Sequence, residues 1–227
     1  MLRRLIIVLV ASQCLNGCKN PAPKDNSWKT VYQNAYSNQD YTTAVVALNQ
    51  LILSDSANRP AYYDSLSVYY IKKLRNYNAG KKSVDKGLSL NPNNFQLLEF
   101  KSIFLSAENK IEESREAIQK AYKLSGLNKH LYMYATSFVA SGKVEEYTKI
   151  ANGILYNPNT KPEKVEVTVD DNLTQFVDLK ALCYLDKAKI ATNGMTVMKY
   201  IDSALQIQPD YQEALFFKQK ITGGGQQ

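Results

Sequence analysis

The stretch "WKTVYQNAYSNQDYTTAVVALNQLILSDSAN", residues 28–58, decides how the chain is built. Its apolar residues recur at intervals of three and four, the spacing that places side chains on one face of an α-helix. Polar residues at 37–40 interrupt the pattern once, so the stretch reads as helix, turn, helix. On the second helix Ala44, Leu48 and Leu51 stand four and then three residues apart.

The same four-then-three spacing returns at Gly80, Val84 and Gly87, at Ser114, Ile118 and Ala121, at Tyr147, Ala151 and Ile154, and at Val197, Ile201 and Ala204. Successive starts are 36, 34, 33 and 50 residues apart. A residue that stops or bends the chain follows eleven or twelve positions after each start: Ser56, Pro92, Gly126, Pro158 and Pro209. Sixteen positions before the starts, on a preceding helix, stand Trp28, Leu98, Leu131 and Ala181, while the second repeat slips and puts Tyr62 in that role.

This pattern resembles the tetratricopeptide repeat (TPR), a helix–turn–helix of about 34 residues. The first repeat carries the resemblance best, through Trp28, Ala35, Tyr36, Asp40, Tyr41, Ala44, Leu48 and Leu51. The third follows with Leu98, Leu105, Ile111, Ser114, Ile118 and Ala121, and "SGKVEEY" at 141–147 is the turn into a second helix. The resemblance covers residues 26 to about 221. It implies an all-α fold, a right-handed α-α superhelix (a TPR-like solenoid) of about five helix pairs plus a C-terminal capping helix. Small residues at the crossing let paired helices approach closely, and no pair buries its apolar face alone, so pairs must stack.

Departures from the pattern set further expectations. Gly80 and Gly87 in a helix predict local weakness, at about 1 kcal/mol each. Tyr147 is bulky for a close crossing and predicts a wider angle there. The 50-residue spacing leaves an irregular insert at about 159–173, in which Val165, Val167 and Val169 alternate with polar residues like a strand. A lone strand has no partner among helices, so the insert reads as an extended surface loop, or else as an edge that adds to a partner's sheet. Asp170 and Asp171, before Asn172-Leu173-Thr174, read as helix caps. In "DYQEALFFKQKI", Leu215 and Phe216 or Phe217 are expected to face the last pair, and 222–227 reads as a disordered tail.

The N-terminus has a different character. Arg3 and Arg4 precede an apolar run at 5–11, too short for a spanning helix, which needs roughly 20 residues. Leu15-Asn16-Gly17-Cys18 follows and resembles the bacterial lipobox. The resemblance implies a lipoprotein signal peptide over 1–17, acylation of Cys18, and a tether over 18–26, whose two prolines and polar residues hold a repeat domain at 27–221 off the bilayer. Together the two resemblances describe a TPR lipoprotein of a Gram-negative-type bacterium. Lys19 after the cysteine, rather than aspartate, favours the outer membrane by analogy with enterobacterial sorting.

Removing 1–17 takes away two arginines and no acids, so the formal charge of +7 becomes +5. No Lys/Arg cluster tracks phosphates, so no nucleic acid is expected. Cys183 reads as a buried small hydrophobe and His130, the only histidine, as a surface or capping residue. One histidine and one buried cysteine cannot make a zinc site, and no nucleophile–base pair or phosphate loop appears, so no enzyme, metal or cofactor is expected.

In TPR proteins the first helix of each pair lines the concave groove. By phase, the resemblance places Lys29, Gln33, Tyr36, Tyr63, Ser67, Tyr70, Glu99, Tyr132 and Thr136 on that partner-binding surface, with Ile103, Ser106 and Val139 beside them. Tyrosine, present 16 times, offers a flat apolar face with a hydroxyl, which suits interfaces. Some relatives grip a terminal carboxylate there, but Asp64 and Phe100 occupy the places of the amide and cationic residues, so that clamp is not expected. The function implied is a membrane-anchored scaffold or assembly factor that holds an envelope protein or peptide segment. Alternatives are glycan capture beside an outer-membrane transporter, or a structural subunit with no groove ligand.

Overall fold

The computed structural model of the chain describes residues 26–169 and 174–223. The leader, Cys18, residues 19–25 of the tether, Asp170 and Asp171 lie outside the described residues. The architecture is all-α and TPR-like, with eleven α-helices among the described residues. The chain divides into two compact units, one ending at Ser83 and one beginning at Val84.

The N-terminal unit holds α1 (Asn26–Ser37), α2 (Tyr41–Ser54), a 3-10 turn (Ser56–Asn58), α3 (Arg59–Val68) running on into a π-helical turn (Tyr69–Lys73), and the first half of α4 (Tyr77–Leu90). Ala35, Ala44, Leu48, Leu51, Leu66 and Tyr69 form its core, with Trp28 and Tyr62 packed against it. The C-terminal unit holds the rest of α4, then α5 (Phe95–Ala107), α6 (Ile111–Ser125), α7 (Asn128–Val139), α8 (Val144–Tyr156), β1 (Lys164–Thr168), β2 (Thr174–Asp178), α9 (Leu179–Ile190), α10 (Gly194–Ile207) and α11 (Gln212–Gly223). Leu98, Ile118 and Ala121 make one cluster there. Tyr147, Ala151, Ile154, Ala181, Leu185 and Ala204 belong to a larger one.

The repeat is written in the backbone as well as the side chains. Gln39, Arg75, Asn109 and Gly142 all adopt left-handed φ, between 50° and 73°. Each stands five residues before a crossing residue: Ala44, Gly80, Ser114 or Tyr147. The reversal lets the next N–H reach back across the helix end: Asp40 donates to the Ala35 carbonyl, Lys110 to Leu105 and Lys143 to Phe138, at 2.8–2.9 Å. Such bonds satisfy carbonyls that the helix end leaves open. In the second repeat the bond is one residue longer, from Asn76 N–H to the Tyr70 carbonyl at 2.7 Å, because the π-helical turn closes with Leu74 N–H on the Tyr69 carbonyl. A π-bulge takes up an inserted residue inside a helix, and this one accounts for one of the two residues by which Tyr62 is displaced from its repeat position.

Gly80 has a use that offsets its low helix propensity. A Cβ added there would stand 2.6 Å from Ile71 Cγ1, so only glycine allows this approach of α4 to the π-helical turn. Tyr147 is fully buried, with its hydroxyl reaching the Cys183 carbonyl at 3.4 Å. Cys183 is buried as expected, and burial, with Asp186 next, pushes its thiol up to about 12.

The insert departs from the loop expected. Its strand has a partner: β1 and β2 pair antiparallel, with Val165 opposite Val177 and Glu166 opposite Phe176. Val165, Val167 and Val177 turn inward onto the larger core. The Gln208 side chain occupies the outer edge of β2, accepting from Asp178 N–H at 2.8 Å and donating to the Phe176 carbonyl at 3.2 Å. Thr174 begins a strand, so no helix follows Asp170 and Asp171 directly. The cap of α9 is Asp178, which accepts from Lys180 N–H at 2.8 Å. On α11, Ala214 and Phe217 pack on the core, whereas Leu215 is exposed and Phe216 is 67% exposed. That helix reaches Gly223, two residues into the expected tail.

Substituting Gly80→Ala tests the close approach. Helix propensity alone would stabilise by about 1 kcal/mol; overpacking costs about 1–3 kcal/mol. Urea unfolding is expected to show net destabilisation, and a stabilised variant would mean that Ile71 yields freely.

Candidate functional site

In the N-terminal unit the expected partner-binding residues sort by burial. Gln33 is exposed and Tyr36 is 61% exposed, one turn apart on α1. Lys29 is half-buried and ion-pairs with Asp55 at 3.3 Å, across the end of α2. Asp55 also takes hydrogen bonds from Asn58 and Tyr62, and these, more than Lys29, hold its carboxyl well below the usual range. Tyr63 and Tyr70 are half-buried against the core. Ser67 is 0% exposed and donates to the Tyr63 carbonyl at 2.8 Å. It is therefore a core residue and lines no groove: on this helix its hydroxyl turns back onto the preceding turn.

Beside Gln33 and Tyr36 lies an aromatic group that the repeat phase does not single out. Tyr32 stacks near Tyr36, with centroids 6.4 Å apart, and its hydroxyl meets that of Tyr69 at 3.2 Å. Tyr41 packs on Tyr69 at 5.7 Å under the Lys73 ammonium. Burial, then the Tyr32 hydroxyl, raises the Tyr69 phenol. Tyr36 is thus an exposed ring set against the half-buried Tyr32, which in turn meets the buried Tyr69.

In the C-terminal unit the expected residues tie successive first helices together. Glu99 on α5 accepts from Lys129 Nζ at 2.7 Å and meets His130 Nε2 at 2.8 Å, both on α7. His130 is neither a surface nor a capping residue. It is 0% exposed, with Nδ1 2.6 Å from the Ser125 hydroxyl and Phe95 edge-on to its ring. Ser125 Oγ also accepts from Leu127 N–H at 3.1 Å, so the ring is held at both nitrogens within one network. Burial alone would raise the Glu99 carboxyl, but the hydrogen bonds from His130 and Lys129 outweigh it and the net shift is downward.

Tyr132 on α7 donates to Asp186 on α9 at 2.6 Å. Lys189 holds Asp186 and, at 2.7 Å, Glu213 of α11, which also accepts from Tyr211. Burial, then the Asp186 carboxylate, pushes the Tyr132 phenol well above its ordinary value. Burial likewise raises the Asp186 carboxyl against the bond from Tyr132. Thr136 is half-buried and donates to the Met133 carbonyl at 2.9 Å. Ile103 and Ser106 are exposed on α5, and Val139 is half-buried. The side chains expected to wait for a partner are thus largely engaged, and the exposed ones are Gln33, Tyr36, Ile103 and Ser106. Among the described residues, no group of three or more His, Cys, Asp or Glu side chains is arranged to hold a metal.

No family model matches the sequence, and no curated protein matches it. Solved structures do. A TPR protein from Parabacteroides merdae superposes with a TM-score of 0.67 at 11% identity, over 89% of this chain and 75% of that one. The fold is that of TPR proteins. YrrB, described as a TPR protein with an unusual peptide-binding site, matches at TM-score 0.60 and 15% identity, over 92% of this chain and 97% of its own. PilW, a type IV pilus biogenesis factor, matches at 0.58 and 13%, over 95% and 91%.

The Glu99 geometry predicts an acid-sensitive tie. Its folded-state carboxyl lies below the ordinary value of 4.5, so its stabilisation is present above that value and is lost as pH falls through the lowered one. Asp186, shifted upward, has the opposite sign, so a single substitution is needed to isolate the effect. The stability difference between the parent and Glu99→Gln, measured by urea unfolding, is expected to be largest near neutral pH and to shrink towards pH ~3. A pH-independent difference would show that the charge is not what holds α5 to α7.

Proposed function

We propose that this chain is a lipid-anchored scaffold or assembly factor of the cell envelope that binds a protein or peptide segment on the first helices of its pairs. The observation that carries the proposal is the exposed pair Gln33 and Tyr36 on α1, with the Tyr36 ring against the half-buried Tyr32. A ring already held by neighbours gives up little rotamer freedom on binding. The TPR fold supports the reading, as do neighbours whose descriptions concern peptide binding and pilus biogenesis. The lipobox-like "LNGC" before a polar tether supports anchoring through Cys18, and Lys19 supports the outer membrane. The polar ties among α5, α7, α9 and α11 suit a rigid presenting surface rather than a set of free contact groups.

Photo-crosslinking residues placed at Tyr36, Tyr70 and Glu166 in living cells test the site. Discrete adducts from Tyr36 or Tyr70 are expected; adducts from Glu166 alone would move the partner to the hairpin and overturn the assignment. Anchoring is tested separately. Cys18→Ser is expected to release the chain from the membrane fraction, and the mass of the mature parent should begin at an acylated Cys18.

A further inference from the structure

Among the described residues of the C-terminal unit, one buried charge has no opposite charge within ion-pair distance. Lys187 on α9 is only 6% exposed. Its ammonium donates to the Asn152 amide oxygen at 2.7 Å and lies 4.7 Å from the Tyr200 ring and 5.8 Å from that of Tyr156. Among the described residues no carboxylate comes within ion-pair distance of it, whereas Lys129, Lys189 and Lys218 each hold one. Lysine is seldom buried without a counter-charge, because removing the ammonium from water is costly. Its hydrogen-bond partner among the described residues is thus a neutral amide oxygen rather than a carboxylate.

Lys187 lines a cleft of about 310 Å³ between α8 and the turn from α9 to α10, beside Thr148, Tyr200 and the small apolar wall of Val144 and Ile190. The lining contains no acidic side chain. Asn193 and Thr196, the cap and first turn of α10, border it as well, so the positive end of that helix faces the same space. The cleft coincides with the one turn between paired helices in the C-terminal unit that breaks the backbone rule. Where Asn109 and Gly142 are left-handed, Ala191 and Asn193 run extended, at φ −72° and −96°.

We propose that this cleft is a carboxylate-binding site, with Lys187 as the residue that holds the anion. A single cation with an apolar wall suits a monoanion carrying a short aliphatic group, rather than a phosphate dianion. Two sources share that chemistry: the C-terminal residue of a peptide, and a small free carboxylic acid. The site shares no residue with the partner surface proposed above and does not depend on it.

The test uses the full chain in detergent micelles and follows backbone amide shifts at residues 192–200. The probes are propionate, acetyl-Gly-Ala-Val with a free C-terminus, the same peptide amidated, and inorganic phosphate. Saturable shifts are expected with the free-acid peptide or with propionate, and which of them binds tighter identifies the source. The amidated peptide should bind at least about 10-fold more weakly, the loss expected for a charge-assisted bond. Lys187→Met should abolish the response while melting no lower than the parent. The acid–amide comparison on the unaltered chain stands whatever that variant does. No saturable shift with either acid, equal binding of acid and amide, or tighter binding of phosphate would overturn the proposal.

Discussion

Each of the first four helix pairs hinges on a reversal of backbone handedness five residues before the crossing. A left-handed residue at 39, 75, 109 or 142 ends one helix, closes its open carbonyls and aims the next helix back along it. The crossing residue then arrives where the two backbones are nearest. This constraint governs the side chains. Ala44 fits because it is small, Ser114 because its hydroxyl can donate to the Ser102 carbonyl at 2.7 Å, and Gly80 because even a methyl group would strike Ile71. Tyr147 meets the same constraint differently, sending its ring into the core and its hydroxyl to a backbone carbonyl on α9.

Within the C-terminal unit a second class of interaction lies over the apolar one. Glu99 with Lys129 and His130, Arg115 with Ser137, Tyr132 with Asp186, and Lys189 with Glu213 join helices that are not consecutive partners or that belong to successive pairs. Apolar packing sets the spacing of helices but leaves sliding inexpensive. Directional bonds from half-buried groups fix the register, and each becomes expensive to break once its partner is out of water.

The period and the fold class are legible in the sequence because both depend on residue size and polarity at fixed intervals. The helix crossings, the chain-stopping residues and the buried Cys183 follow from that alone. Partner identity is another matter. Phase places Ser67, Glu99 and Tyr132 on first helices, but it does not say that Ser67 bonds to its own helix or that Glu99 and Tyr132 are engaged by the next pair. His130 carries no local mark of burial, since its partners lie 5 and 31 residues away. The strand alternation at 165–169 is visible, but its mate Thr174–Asp178 carries charge and amide groups that hide the pairing, and Gln208, which closes the far edge, lies 30 residues on.

The π-helical turn at Tyr69–Lys73 has an evolutionary consequence. An array of stacked coils would ordinarily be thrown out of alignment by an in-frame codon insertion, because every later side chain would rotate to a new face. Here one surplus residue is taken up within a single turn, and the crossing at Gly80 keeps its close contact with Ile71. A gene encoding such an array can therefore survive small length changes at this point. Descendants of a common ancestor would then be expected to differ in length here while keeping the same architecture.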